Sequence, residues 1–263
     1  MKKGVLLFIL ACSACNTVPI SGRKQLSLLP ESQLIGMSLT EYRTFLSQNP
    51  PLTGGTGDAE MVKRIGNRIQ IAVTKFFHQK GMASKLNGYK WEFNLVNSPE
   101  ANAWCMPGGK VVVYSGLLPI TKDENSLAFV MGHEIAHAVA RHGNERMSQS
   151  IISEAGALAL DTYLQMKQSQ ARNLFNQAYG VGTQVGVMLP FSRTHESEAD
   201  KMGMVFMAMA GYDPSKSPEF WKRMSANSGQ KPPQFLSTHP SDATRQKAMQ
   251  DYLPQAMKYF KKQ

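Results

Sequence analysis

Long apolar runs are scarce in this 263-residue sequence. The N-terminal stretch Val5 to Ala11 falls well short of the ~20 apolar residues needed to span a bilayer, which excludes a permanent transmembrane anchor there. Cysteine is also scarce, with 3 in the whole chain, so the fold cannot rest on a disulfide framework. Acidic residues are outnumbered, 19 against 29 basic, for a net charge of +10. Yet the basic residues come singly or in pairs with no aromatic-interleaved stripe and no nucleic-acid motif. No nucleic acid is therefore expected as a partner, and the charge reads as a solvated surface suited to an anionic membrane face. A hydrophobic share of 42%, with ordinary use of Gly (21) and Pro (14), excludes a disordered chain, a collagen and a coiled coil. What remains is one globular domain, with room for a tail.

The N-terminus reads Lys2-Lys3, an apolar stretch, then Cys12-Ser13-Ala14-Cys15, which looks like a bacterial lipoprotein signal. Either cysteine can be the lipid acceptor. Cys15 gives the more ordinary signal length, while Cys12 follows Ile9-Leu10-Ala11. The expected organisation is a signal over 1–15, a tether over 16–30 and a single domain over 31–263. Cleavage at Cys15 leaves Cys105 as the one remaining thiol.

Past the tether, Ile35, Leu39, Tyr42 and Leu46 form a helical stripe, ended by Pro50-Pro51. A second helix starts at a capping Asp58, carries Val62, Ile65, Ile69, Val73 and Phe76 on one face, and stops near Gly81. The period then becomes two over Tyr89, Trp91, Phe93 and Leu95, a strand with one buried face. Residues 102–114 read as a β-hairpin around Pro107-Gly108-Gly109. Thr121 and Glu124 in capping-box spacing open a helix expected to run through His142. Further helices are expected at about 148–168, 192–210, 218–226 and 242–260, the last broken at Pro254. The fold class is α+β, mostly helical with a small antiparallel sheet.

On the helix after Thr121 lies His133-Glu134-Ile135-Ala136-His137. At 3.6 residues per turn His133 and His137 sit one above the other and can reach one ion, with Glu134 displaced to the side as a base rather than a ligand. Composition alone predicts about 0.006 such matches in a chain like this, so accident is a poor explanation. His142, about 140° further round the same helix, reads as a surface or helix-end residue. A catalytic zinc takes three protein ligands. Ala140 and Gly143 stand where the metzincin pattern requires Gly and His, which excludes that class. Carboxylate candidates concentrate at His195-Glu196-Ser197-Glu198-Ala199-Asp200, where Glu196 and Asp200 share a face, Glu198 points elsewhere into solvent and His195 faces away from the pair. Met202, Met204, Met207 and Met209 read as core packing.

Together with Ser192-Arg193, Asn102-Ala103, Pro107-Gly108-Gly109, His239-Pro240 and Arg245, these motifs resemble family 48 of the metallopeptidases, which includes HtpX and the CAAX prenyl proteases. The resemblance spans roughly residues 55–255. The start, with Thr17 to Leu26, looks like the membrane-tethered LoiP/YcaL-type branch. The resemblance implies a zincin-like domain with one zinc ion held by His133, His137 and Glu196. It places Asp200 behind the ligands and Glu134 as general base. His239, the residue matching a histidine near the family's site, is the candidate oxyanion donor. It also has the alternative of occupying the open zinc position. Arg245 is expected to pair with Asp200 or Glu196. Asn102 and Ala103 are expected to bind an extended polypeptide substrate beside the cleft. The activity implied is hydrolysis of peptide bonds in cell-envelope proteins at the outer membrane facing the periplasm. The competing reading is a chaperone-like assembly factor whose metal site is structural or rarely active. Oligomeric state has no signature in the sequence.

Overall fold

The structure is a computed structural model that describes residues 15–53, 57–155, 158, 165–179, 192–226, 234–239 and 243–261. Cys12 and the apolar N-terminal run lie outside the described residues. Two short strands, β1 (Cys15–Thr17) and β2 (Lys24–Leu26), pair antiparallel as a hairpin. Residues 16–30, expected as an irregular tether, are instead folded onto the domain. The Gln25 side-chain amide donates to the Ala140 carbonyl at 2.5 Å, the Asn144 amide donates to the Leu29 carbonyl at 2.8 Å, and Val18 and Leu29 are buried.

Helix α1 (Glu31–Gln48) follows, and its buried line is Leu34, Tyr42 and Phe45. This is rotated from the stripe of Ile35, Leu39 and Leu46, which are only half-buried. Helix α2 (Gly57–Gln79) buries all five expected positions, Val62 to Phe76, with Asp58 inside its first turn rather than capping it. The chain leaves through Gly81 at φ +67°.

Strands β3 (Glu92–Val96), β4 (Ala103–Met106) and β5 (Lys110–Tyr114) form a sheet in the order β3-β5-β4. The β4–β5 hairpin is antiparallel as expected, turning at Gly108 and Gly109, whose φ values of +83° and +80° favour glycine. Strand β3 pairs parallel with β5, so the sheet is mixed rather than purely antiparallel. Its two faces enter different cores. Phe93, Leu95, Cys105, Val111 and Val113 join α2 and the central helices, whereas Trp104, Met106, Val112 and Tyr114 pack with Tyr42 and Phe45 of α1. Burial on both sides is why β5 is apolar at consecutive positions.

Helix α3 (Glu124–Val139) is buried almost throughout. Asp123 caps it by accepting from the Ser126 amide, in place of the expected Thr121–Glu124 box. It stops before His142: Arg141 adopts φ +63°, and a separate helix α4 (His142–Ala155) begins there. Helix α5 (Gln168–Tyr179) packs on α4. Residues 156–157 and 159–164, within the expected 148–168 helix, lie outside the described residues. Helix α6 (Arg193–Met209) is capped by Ser192 and crosses α3 in the most extensive helix–helix contact of the domain. Met202, Met204 and Met207 are fully buried in the core, as expected. Helices α7 (Ser217–Ala226), α8 (Gln234–Thr238) and α9 (Ala243–Met257) complete the described chain. Helix α9 runs through Pro254 instead of breaking there. Among the described residues, no helix is long and apolar enough to cross a membrane.

Candidate metal centre

The crossing of α3 and α6 brings His133 and His137 opposite Glu196 and Asp200. Both imidazole Nε2 atoms point to the same spot, 3.1 Å apart. Glu196 closes the third side, with Oε2 3.6 Å from His133 Nε2 and Oε1 3.4 Å from His137 Nε2. His239, at the end of α8, completes the group: its Nδ1 is 3.3 Å from His133 Nε2 and 3.0 Å from Glu196 Oε1. All four side chains are buried, and their ligand atoms lie within 4.8 Å of one another.

These spacings test whether a metal fits. Four donors around an ion at bond lengths near 2.05 Å stand about 3.3 Å apart at the corners of a tetrahedron. The measured separations of 3.0–3.6 Å bracket that edge. Two imidazole lone pairs facing each other at this distance repel unless a proton or a cation lies between them. Burial disfavours the proton, lowering the pKa of His133 and taking that of His137 well below its usual value. A neutral imidazole is the form that binds a metal. Burial alone would raise the pKa of Glu196, but Arg245 and His239 outweigh it and hold the carboxylate ionised.

Behind the ligands, His133 Nδ1 lies 3.0 Å from Asp200 Oδ1. Arg245, buried on α9, reaches Asp200 through Nε at 2.5 Å and Nη2 at 2.8 Å and places Nη1 2.5 Å from Glu196 Oε2. Its guanidinium lies over the Trp221 ring at 3.8 Å, and Trp221 Nε1 donates to Asp200 Oδ1 at 3.3 Å. Arg245 thus engages both carboxylates. Glu134 is not one of the four converging side chains but lies beside them, its Oε1 3.5 Å from His239 Nε2. Burial pushes its carboxyl up to about 7.

Asn102, Ala103, Trp104 and Cys105 line a cavity together with Glu134, His137 and His239. Strand β4 is therefore beside the cluster, at the edge of the three-stranded sheet. Asn102 is buried and its Oδ1 accepts from the Ala103 amide, so the side chain shapes its own strand. The Phe235 amide of α8 donates to the Ala101 carbonyl at 3.3 Å, linking the segment that carries His239 to the strand entry. Pro240 lies outside the described residues.

Two expectations about neighbouring polar residues need correction. His142 is a helix-end residue, the first of α4, but it is fully buried rather than at the surface, and its Nδ1 is 3.0 Å from Nδ1 of His137. Helical phase continued from α3 puts His142 on another face, but the positive φ at Arg141 ends that phase and swings the side chain back. Glu198 is buried rather than solvated, held by His142, Arg23 and Ser21. His195 does face away from the cluster: it stacks on His142 and sits 2.9 Å from Glu145. Arg23 and Glu145, which join this group, have no signature in the sequence. Polar residues are usually exposed, and nothing local marks these as exceptions.

A model of a metallopeptidase family, Peptidase family M48, matches residues 66–253, more than two thirds of the chain. The mitochondrial metalloendopeptidase OMA1 of Schizosaccharomyces pombe is 37% identical over 175 residues, covering 66% of this chain and 50% of the relative. The human mitochondrial metalloendopeptidase OMA1 is 29% identical over 263 residues, covering 97% of this chain and 49% of the relative. The beta-barrel assembly-enhancing protease of Escherichia coli is 32% identical over 183 residues, 66% of this chain and 37% of that protein. The chain spans about half the length, or less, of these relatives.

Proposed function

The chain belongs to peptidase family M48, and from that membership we propose that it is a zinc-dependent endopeptidase acting on polypeptides of the bacterial cell envelope. The observation that carries the reading is the convergence of His133 Nε2, His137 Nε2 and Glu196 at tetrahedral spacing with a separate buried glutamate, Glu134, alongside. A purely structural site has no use for that extra carboxylate. Two imidazoles and a carboxylate suit zinc.

His133, His137 and Glu196 would hold the ion. Zinc, when bound, acidifies a water and polarises the scissile carbonyl. Glu134 takes the proton of the attacking water and delivers it to the leaving amine, and a carboxyl lifted to about 7 by burial is suited to both steps. Asp200 orients His133 by accepting from its Nδ1–H, and Arg245 keeps Asp200 and Glu196 ionised. The substrate lies extended against β4, with Asn102 and Ala103 beside the cleft, its main chain bonding in a way nearly indifferent to sequence.

For His239 the plug alternative is favoured: its Nδ1 would help hold the ion, because it stands 3.3 Å from His133 Nε2 and 3.0 Å from Glu196 Oε1, as close as the other donors are to one another. A site closed in this way also favours the second reading, an envelope assembly factor that is rarely active. The protein is tethered by lipid on Cys15, or on Cys12, at the outer membrane facing the periplasm, in the manner of the LoiP/YcaL-type branch. Mass spectrometry of an unfolded protein incubated with the zinc-loaded chain, with and without a chelator, tests the activity. Chelator-sensitive internal cleavage is the expected result, and no cleavage under either condition favours the assembly factor.

A further inference from the structure

The N-terminal hairpin and the metal centre are joined by a chain of polar contacts that the hydrolytic mechanism does not use. His137 Nδ1 is 3.0 Å from His142 Nδ1, and His142 Nε2 is 3.2 Å from Glu198 Oε2. Glu198 in turn accepts from Arg23, Nε to Oε1 and Nη2 to Oε2, both at 2.9 Å, and from the Ser21 hydroxyl at 2.6 Å. The other edge of the same guanidinium donates to Glu145 at 2.7 and 2.8 Å, and Glu145 meets His195, the ring stacked on His142. His142, Glu145 and Glu198 are all buried.

Proton accounting gives this chain a direction. Nε2 of His137 faces the other ligand atoms and must offer a lone pair there, so the ring proton sits on Nδ1. That N–H needs an acceptor, and Nδ1 of His142 stands at hydrogen-bond distance. Accepting there puts the proton of His142 on Nε2, where Glu198 accepts it. Each proton then has one place, and the tautomer of His137 is fixed from outside the ligand set. His133 is held in a parallel way but more directly, through Asp200 and Arg245.

We propose that His142, Glu198 and Arg23 are positioning residues for His137, so that the N-terminal hairpin is a structural part of the metal centre. The inference rests on the metal-centre reading above. The line of contacts behind each of the two α3 histidines ends in a carboxylate braced by an arginine. The brace for His133 comes from α9, and the brace for His137 comes from the turn between β1 and β2. A side chain more than 170 residues away in sequence from Glu198 thereby sets the ring that the metal meets.

The test compares the full-length protein with His142→Phe, which keeps a ring but removes both nitrogens, and with Arg23→Gln, whose site is partly exposed and which tests the arm should the first variant fail to fold. Lys24→Gln, at a neighbouring exposed position, is the control. Zinc affinity is read by competition with a chelator, ligand geometry by the visible spectrum of the cobalt-substituted protein, and folding by circular dichroism of the metal-free form. Outer partners of ligand histidines usually contribute about 10–100-fold in metal affinity. A loss in that range for His142→Phe is expected, with a smaller loss for Arg23→Gln and a shifted cobalt spectrum in both. Tight zinc binding by the unaltered protein and equally tight binding by both variants, with unchanged cobalt spectra, overturns the relay. Failure of the unaltered protein to bind zinc overturns the metal-centre reading itself.

Discussion

Gly203 of α6 lies directly against the backbone of His133 in α3: a Cβ at Gly203 would stand 2.9 Å from the His133 amide nitrogen and 3.1 Å from its Cα. Gly132 faces back in the same way, with a Cβ there 3.0 Å from the Gly203 carbonyl oxygen. The two glycines let the helices meet backbone to backbone, and that close approach brings Glu196 within reach of both histidines.

Gly203→Ala is therefore expected to wedge the helices apart. The obstructing atoms are backbone and cannot rotate away, so a stability loss of about 1–3 kcal/mol is expected from overpacking. Zinc affinity should fall with it, because the ligand spacing widens. Chemical denaturation of the metal-free protein and zinc competition check the two effects. An unchanged affinity would mean that the crossing tolerates the methyl group.

Glu134 and Glu196 are both buried, and the different roles proposed for them are separated by metal analysis. Glu134→Gln retains the size of the side chain and all the candidate ligands, so zinc should stay bound while peptide hydrolysis nearly vanishes. Glu196→Ala should lose zinc or bind it much more weakly. Loss of zinc from the first and retention by the second would reverse the assignment.

His239→Ala distinguishes a plug from an oxyanion donor. Opening the fourth corner should raise turnover of an unfolded polypeptide while three ligands keep zinc near one per chain. A fall in turnover of about 10²–10³ would instead mark His239 as the donor.

Arg245→Leu removes the shared partner of two buried carboxylates. Leaving buried charges uncompensated costs about 3–5 kcal/mol. Arg245→Lys should rescue little, since one ammonium cannot reproduce the fork that spans Glu196 and Asp200 above Trp221. Thermal melts of the metal-free variants provide the check.

The Arg23 cluster makes acid sensitivity specific. Burial would raise the carboxyls of Glu145 and Glu198, but hydrogen bonds outweigh it. Arg23 and His195 hold Glu145 at about 2, and His142, Arg23 and Ser21 hold Glu198 at about 2, against an ordinary 4.5. A carboxyl depressed in the folded state contributes stability that is present above its unfolded value and lost as pH falls through the folded one. The stability gap between the unaltered protein and Arg23→Gln should thus be full at pH 6 and shrink between about 4.5 and about 2. Denaturation curves across that range measure it, and a gap independent of pH would assign the effect of Arg23 to packing.

Local chemistry wrote much of this molecule. The period of α2, the glycine turn of the β4–β5 hairpin and the one-face spacing of His133 with His137 and of Glu196 with Asp200 are properties of a few neighbouring residues, and the structure places them as the sequence implies. Tertiary structure decided the rest. The parallel pairing of β3, the backbone contact of Gly132 with Gly203, the position of His239 Nδ1 among the ligands and the path from Arg23 to His137 all join residues far apart in the chain. Helical phase alone turns His142 and Glu198 away from the faces that carry the other site residues, where a polar side chain without partners is better hydrated than buried. Only their mutual hydrogen bonds, created when the positive φ at Arg141 turns the chain and the N-terminal hairpin folds back over it, make burial the more stable choice.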